Sequence, residues 1–323
     1  MKNYAVGTLA MCLLSTVLVL GIADAQKQSY PNLKVSGYIQ APYTMDKDKA
    51  NNFQVRRARG KFSGNANENI KYALLFDFID DSKGSNLADA YIDVSYLPQA
   101  NVRIGQFKTP FSMEYLTSST QWDTIELAQV VSKLASKRDI GIQIGGEISP
   151  LLEYAVGVFN GTGSNAAEEN KRKDIVARGV VKPVKGLLLG VSHYEGWSGK
   201  EDENKTKRRT DAQLGFVNEL ISVKGEFIFG KNGETSAYGW YAQLGYTLSL
   251  PLGKNSQKLQ PIVKYDSYDP DSDKEKDKTD IATVGLNWFI TKNVKVQVDN
   301  QLILNEDFEV DNDIIAAQFQ TTW

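Results

Sequence analysis

The stretch RRARGKFSG, Arg56 to Gly64, places four cations in nine residues directly after the apolar pair Phe53 and Val55. On the two-residue repeat of a strand, Arg57, Arg59 and Lys61 share one face, and Ala58, Gly60 and Phe62 share the other. A strand divided in this way needs water on one side and an apolar medium on the other. The question is whether the rest of the chain repeats the division.

It does, in nearly every segment after Leu33. In NIKYALLFDFID, Ile70, Tyr72, Leu74, Phe76 and Phe78 oppose Lys71, Ala73, Leu75 and Asp77. In LADAYIDVSYL, Ala88, Ala90, Ile92, Val94 and Tyr96 oppose Asp89, Tyr91, Asp93 and Ser95. TVGLNWFI, VKVQVDNQL and IIAAQFQTTW split the same way, so these runs read as half-buried strands. They number about sixteen, with centres from near Ser36 to near Ala317. Short connections such as NANEN, PQAN and SPL alternate with long polar ones such as APYTMDKDKANN, NGTGSNAAEENKR and YDPDSDKEKDKTD. An antiparallel barrel in an outer membrane has short turns at one rim and long loops at the other. A sandwich also alternates its faces but has no reason to sort connection length by parity.

The beginning of the chain sets the compartment. Lys2 precedes an apolar run from Tyr4 to Ile22, and Ala23-Asp24-Ala25 offers a small-residue cleavage site, so residues 1–25 read as a secretory signal peptide ahead of a barrel domain, 26–323. Cys12 is the only cysteine and His193 the only histidine, which leaves no disulfide framework and argues against a metal centre or other cofactor. The 37 basic and 39 acidic residues balance to a net charge of -2, which gives no general attraction to nucleic acid. No later stretch approaches the roughly 18 to 20 apolar residues of a membrane helix, a test that a barrel escapes because only alternate residues meet lipid. Tyr246, Trp288, Phe289, Phe319 and Trp323 lie near strand ends, where interfacial aromatic girdles form.

One connection on the long side is exceptional: KTPFSMEYLTSSTQWDTIELAQVVSKLASK, Lys108 to Lys137. Asp123 and Glu126 have capping-box spacing, and Ile125, Ala128, Val131 and Leu134 would give the helix that follows an apolar side. Lys133, Lys137 and Arg138 gather at its C-terminal end, where the helix dipole favours cations. The expectation is that this third long loop folds into the lumen and narrows it. The alternatives are an external lid or a subunit contact.

VRRARGKFSG followed by YALLFDF, ADAYIDVSY, VRIGQFKTPFSMEYLTSS and KRDIGIQIGG resembles the phosphate-selective porin O and P family of Gram-negative outer membranes, densely from about Phe53 to Gly146 and by pattern beyond. The resemblance implies a sixteen-stranded, commonly trimeric anion channel with a basic constriction. Cations facing mid-bilayer lipid cost roughly 2–4 kcal/mol each, so Arg57, Arg59 and Lys61 should face the lumen, with Arg103 inward beside them and Lys108 at the hinge of the loop. With Lys133 and Lys137 these form the expected pore-lining, anion-binding set. Rings of basic side chains select anions in a narrow passage, and the arginine fork fits an oxyanion. The expected partners are therefore small anions, membrane lipid and two further copies of the chain.

The plainer reading sets Asp77, Asp89 and Asp93 as cross-strand partners of these cations, with Arg57 roughly opposite Asp77, in a general porin of weak preference. An enzyme finds little support: Ser192-His193 is the only serine–histidine pair in view, and no G-x-S-x-G surrounds any serine. A barrel displaying loops for adhesion is the third reading. No nucleic-acid module appears.

Overall fold

The computed structural model describes residues 29–79, 86–135, 137–168, 170–199, 205–251, 257–304 and 309–323; the expected signal peptide lies outside the described residues. The strands are β1 (Lys34–Asp46), β2 (Lys49–Phe53 and Arg57–Asn65), β3 (Ile70–Asp77) and β4 (Leu87–Leu97). They continue as β5 (Ala100–Lys108), β6 (Arg138–Ser149), β7 (Leu152–Phe159), β8 (Asp174–Val181), β9 (Leu187–Ser198) and β10 (Lys205–Val217). The last six are β11 (Ile221–Asn232), β12 (Thr235–Tyr246 and Leu248–Leu250), β13 (Gln257–Asp269), β14 (Thr279–Thr291), β15 (Val294–Leu304) and β16 (Val310–Thr322). Between β5 and β6 lie helix α1 (Met113–Leu116), a 3-10 turn (Ser119–Gln121) and helix α2 (Gln129–Leu134).

Each strand pairs antiparallel with its neighbours in sequence, and β1 returns to β16 over Tyr38↔Thr322 to Asp46↔Ile314. The result is a closed sixteen-stranded barrel with no open sheet edge. Alternation decides which way each residue points. On β10, Arg209, Asp211 and Gln213 are buried while Thr210, Ala212 and Leu214 are exposed. The pattern holds around the barrel: Gln40, Asn287, Gln297 and Gln318 are among the most buried side chains, and Val191, Val284, Ile92 and Phe319 are half exposed. Polar side chains inside and apolar ones outside is the inverse of a water-soluble domain and fits lipid around the wall.

Three expectations need correction. The connection APYTMDKDKANN is not a long loop: β1 runs to Asp46 and β2 starts at Lys49, because Tyr43 and Thr44 continue the ladder onto Phe53 and Asn52. Past this pairing β2 bulges, with Gln54, Val55 and Arg56 facing only Ala41 and Pro42 of β1. Pro42 has no N–H to give, and its carbonyl accepts from Gln54. Second, Phe289 does not join the outer girdle. It shares the inward parity of Asn287, and the Lys295 ammonium lies 5.8 Å from its ring. Tyr246, Trp288, Phe319 and Trp323 are outward and partly exposed.

The third correction concerns the long connection. Asp123 caps no helix, and the capping box does not form; α2 begins only at Gln129, with no side-chain cap. The barrel wall supplies stronger partners, since the Asp123 carboxylate accepts from Lys224 Nζ at 2.6 Å and Gln243 Nε2 at 2.6 Å, and Glu126 pairs with Arg56. All four apolar residues are buried, Ile125, Ala128, Val131 and Leu134, although only Val131 and Leu134 lie on α2. Phe111, Val130 and Leu134 pack with Phe107, Phe159, Val176, Tyr194 and Ile228 into the main apolar cluster. Gly239 of β12 permits this approach, because a Cβ there would stand 2.8 Å from Val130 Cβ.

Candidate functional site

Two sets of side chains share the buried face of the barrel, and they differ in what they bind. From β11 to β16 and on β1, they hold the segment between β5 and β6. The Glu226 carboxylate accepts from the N–H groups of Met113 (2.8 Å) and Glu114 (2.6 Å), and Asp299 accepts from Ile125 N–H at 2.6 Å. Lys264 Nζ donates to Thr124 Oγ1 and the Glu126 carbonyl, both at 2.9 Å, and Lys295 Nζ to the Trp122 carbonyl at 2.9 Å. Gln40 of β1 and Gln320 of β16 donate to the carbonyls of Ser119 and Thr120, each at 3.1 Å. Burial pushes the Glu114 carboxyl up to about 7, against the pull of the Lys264 ammonium.

From β2 to β6 the charges answer one another instead. Arg59 Nε donates to Asp77 at 2.6 Å, Arg103 grips both oxygens of Asp93 at 2.7 and 2.8 Å, and Arg138 Nε donates to Asp89 at 2.6 Å. Arg59, not Arg57, stands opposite Asp77. The turn is tightened by the Asn67 side chain, which accepts from the N–H groups of Asn69 and Ile70, so Asn65 still pairs with Lys71 and the register moves by two residues. Arg57 donates to Gln40 Oε1 at 3.0 Å, with its guanidinium 4.8 Å from the Trp122 ring, and has no ion-pair partner among the described residues. Lys61 likewise has no carboxylate there. The Lys108 ammonium donates to the carbonyls of Tyr115 and Thr117 and so closes the end of α1.

Three cavities follow this wall. One of about 470 Å3, toward the long connections, is lined by Arg59, Asp77, Lys133, Lys137, Arg138, Lys207 and Arg209. The next, about 460 Å3, is lined by Tyr38, Arg59, Lys61, Asp89, Tyr91, Arg103, Lys108 and Arg138. The third, toward the short turns, includes Lys34, Lys61, Lys71 and Asp93. Arg59 and Arg138 border both the first and the second, while Lys61 and Tyr91 border both the second and the third. Cations outnumber carboxylates in the lining of each.

All seven residues expected from the sequence therefore lie on this wall or at the end of α2 beside it, except that the Arg57 side chain is turned to Trp122 and borders none of the three cavities. Sequence reasoning missed Arg138 on this wall and, across the first cavity from it, Lys207 and Arg209 of β10. The latter two were legible, since Lys207 and Arg209 share the parity of Asp211 and Gln213. Arg138 was not: strict alternation puts it with Ile140 and Ile142, yet at the strand end it reaches across β5 to Asp89.

A model of the phosphate-selective porin O and P family matches residues 34–216 and 218–322. The chain belongs to that family. An uncharacterised protein of Aquifex aeolicus (strain VF5) is 24% identical over 257 residues, 62% of this chain and 58% of that protein. The chain thus spans less than two thirds of that relative's length. Among solved structures, an anion-selective porin from Comamonas acidovorans superposes with a TM-score of 0.67 at 12% identity, over 90% of this chain and 99% of that one. The outer membrane channel DcaP of Acinetobacter baumannii gives 0.64 at 11%, over 90% and 97%. The trimer form of OmpT, an outer membrane protein of Vibrio cholerae, gives 0.60 at 9%, over 90% and 99%. At these identities the likeness establishes the fold.

Proposed function

We propose that the protein is an outer-membrane porin that passes small hydrophilic solutes, anions preferentially, along the wall of β2 to β6. The observation that carries this reading is the run of three cavities, of which the first two share Arg59 and Arg138 in their linings and the last two share Lys61 and Tyr91. The segment 109–137 binds the opposite wall, occupies that side of the lumen and leaves the passage against the basic side. At the neck, two guanidinium groups in a narrow, poorly screened space favour an oxyanion. Lys61, without a carboxylate partner among the described residues, adds positive charge beyond the neck. The family's description and the anion-selective Comamonas porin support anions, and phosphate among them, as the solutes. The trimer form of the Vibrio OmpT supports a homotrimer.

The general porin remains the second reading, favoured by the three arginine–aspartate pairs, which cancel much of the wall's charge. Recording in planar bilayers under a salt gradient separates the two. The expected reversal potential is that of an anion-preferring pore; a value at zero or on the cation side would reduce the basic wall to structure.

A further inference from the structure

On the wall of β2 to β6, one strip of side chains departs from the polar pattern of the lumen. Lys71, Ala73, Leu75 and Asp77 share the inward parity of β3, so two apolar residues stand between two charged ones. Leu75 is in register with Lys61 of β2 on one side and with Asp89 of β4 on the other. Ala73 is in register with Tyr91, and beyond Tyr91 stands Gly105, which has no side chain to cover the ring. Lys61, Leu75, Tyr91 and Arg103 all border the second cavity. Leu75 lies outside the apolar cluster around the segment 109–137, so that packing does not account for it.

The cations beside this strip suit a particular kind of anion. Arg103 spends Nε and Nη2 on Asp93, and its guanidinium carbon lies 4.0 Å from the centre of the Tyr91 ring. What it has left for the cavity is a plane backed by an aromatic face more than a set of donors. Lys61 keeps its ammonium without a carboxylate among the described residues, because Asp89 on the same row is held by Arg138. A hydrated inorganic ion gains nothing from Leu75 or from a stacked ring and guanidinium. An anion with a flat apolar body gains from both. Given the anion passage along β2 to β6, on which this inference rests, we propose that the second cavity selects aromatic carboxylates over inorganic oxyanions. The carboxylate meets Lys61, and the ring lies on Leu75 beside the Tyr91 and Arg103 stack.

Block of the chloride current through the whole barrel in planar bilayers tests this, with benzoate, cyclohexanecarboxylate, acetate and inorganic phosphate as separate probes. Benzoate is expected to halve the current at about a tenth of the concentration that acetate or phosphate needs, and at a lower concentration than cyclohexanecarboxylate. Leu75→Asn should cut the preference for benzoate over acetate about fivefold, and Tyr91→Ser should remove the difference between the two ring acids. The comparison of the four anions on the wild type decides the matter even where a variant does not assemble. Equal block by benzoate and acetate in a pore with an anion-side reversal potential would overturn the proposal and leave the passage standing. Equal block by the two ring acids would overturn the aromatic class, and an undiminished preference in Leu75→Asn would overturn the site. A cation-side reversal potential in a chloride gradient would instead overturn the passage itself, and the proposal with it.

Discussion

On β2 to β6 the inward carboxylates meet arginines of neighbouring strands, whereas on β11 to β15 they meet backbone N–H groups of the segment 109–137. The residue types are the same, but the exposure differs. The Arg59 and Arg103 side chains keep 17% and 28% of their surface, while that of Lys264 keeps 1%. An exposed pair neutralises its wall only in part and keeps N–H groups open to solvent. A buried carboxylate that accepts from backbone amides is shut off from solvent and serves as an anchor. Which partner arrives, more than which residue is present, separates the wall proposed to conduct from the wall that holds the segment.

The largest effect should come from breaking an anchor. Glu226→Ala leaves the N–H groups of Met113 and Glu114 and the Tyr241 hydroxyl without their acceptor, at about 1–3 kcal/mol for each buried group. The segment should loosen, and single-channel conductance should rise about twofold as the lumen widens. Unchanged conductance would mean that the passage does not depend on that anchor.

Next come the charges of the neck. Arg59→Glu should move the reversal potential toward cations, and Asp77→Asn, which frees Arg59 from its partner, should move it the other way by a smaller amount. If both variants shifted it in the same direction, the pair would act by shape and not by charge.

The smallest expected effect is a pH dependence at the contact between segment and wall. The Glu114 carboxyl holds its proton up to about 7 when folded, against 4.5 ordinarily, so the native state binds more protons between those values. Its contribution is fully present below about 4.5 and is lost as pH rises through about 7. The midpoint of heat-induced gel-shift should therefore fall between pH 5 and pH 8, and Glu114→Gln should flatten that fall.

Much of this was legible in the sequence, for a physical reason. A barrel wall assigns each residue to one of two solvents, so parity alone places Arg59, Lys61 and Arg103 inside and Phe62, Leu74 and Ile104 outside. Register was less legible, because the Asn67 side chain, and no feature of hydropathy, sets the turn after β2. The roles of Asp123 and Glu126 were hidden altogether. Their spacing suits a helix cap, yet their partners Lys224 and Arg56 lie 101 and 70 positions away and meet them only once the barrel closes.

Because Cys12 is the chain's only cysteine, a chain starting at residue 26 accepts single cysteines as probes of which wall carries the solute. Conductance would be recorded for Lys61→Cys and Gln243→Cys during exposure to an anionic thiol reagent. Passage along β2 to β6 requires the current through Lys61→Cys to fall and that through Gln243→Cys, whose position is 5% exposed beneath Asp123, to persist. The reverse order would place the solute on the other wall and contradict the account.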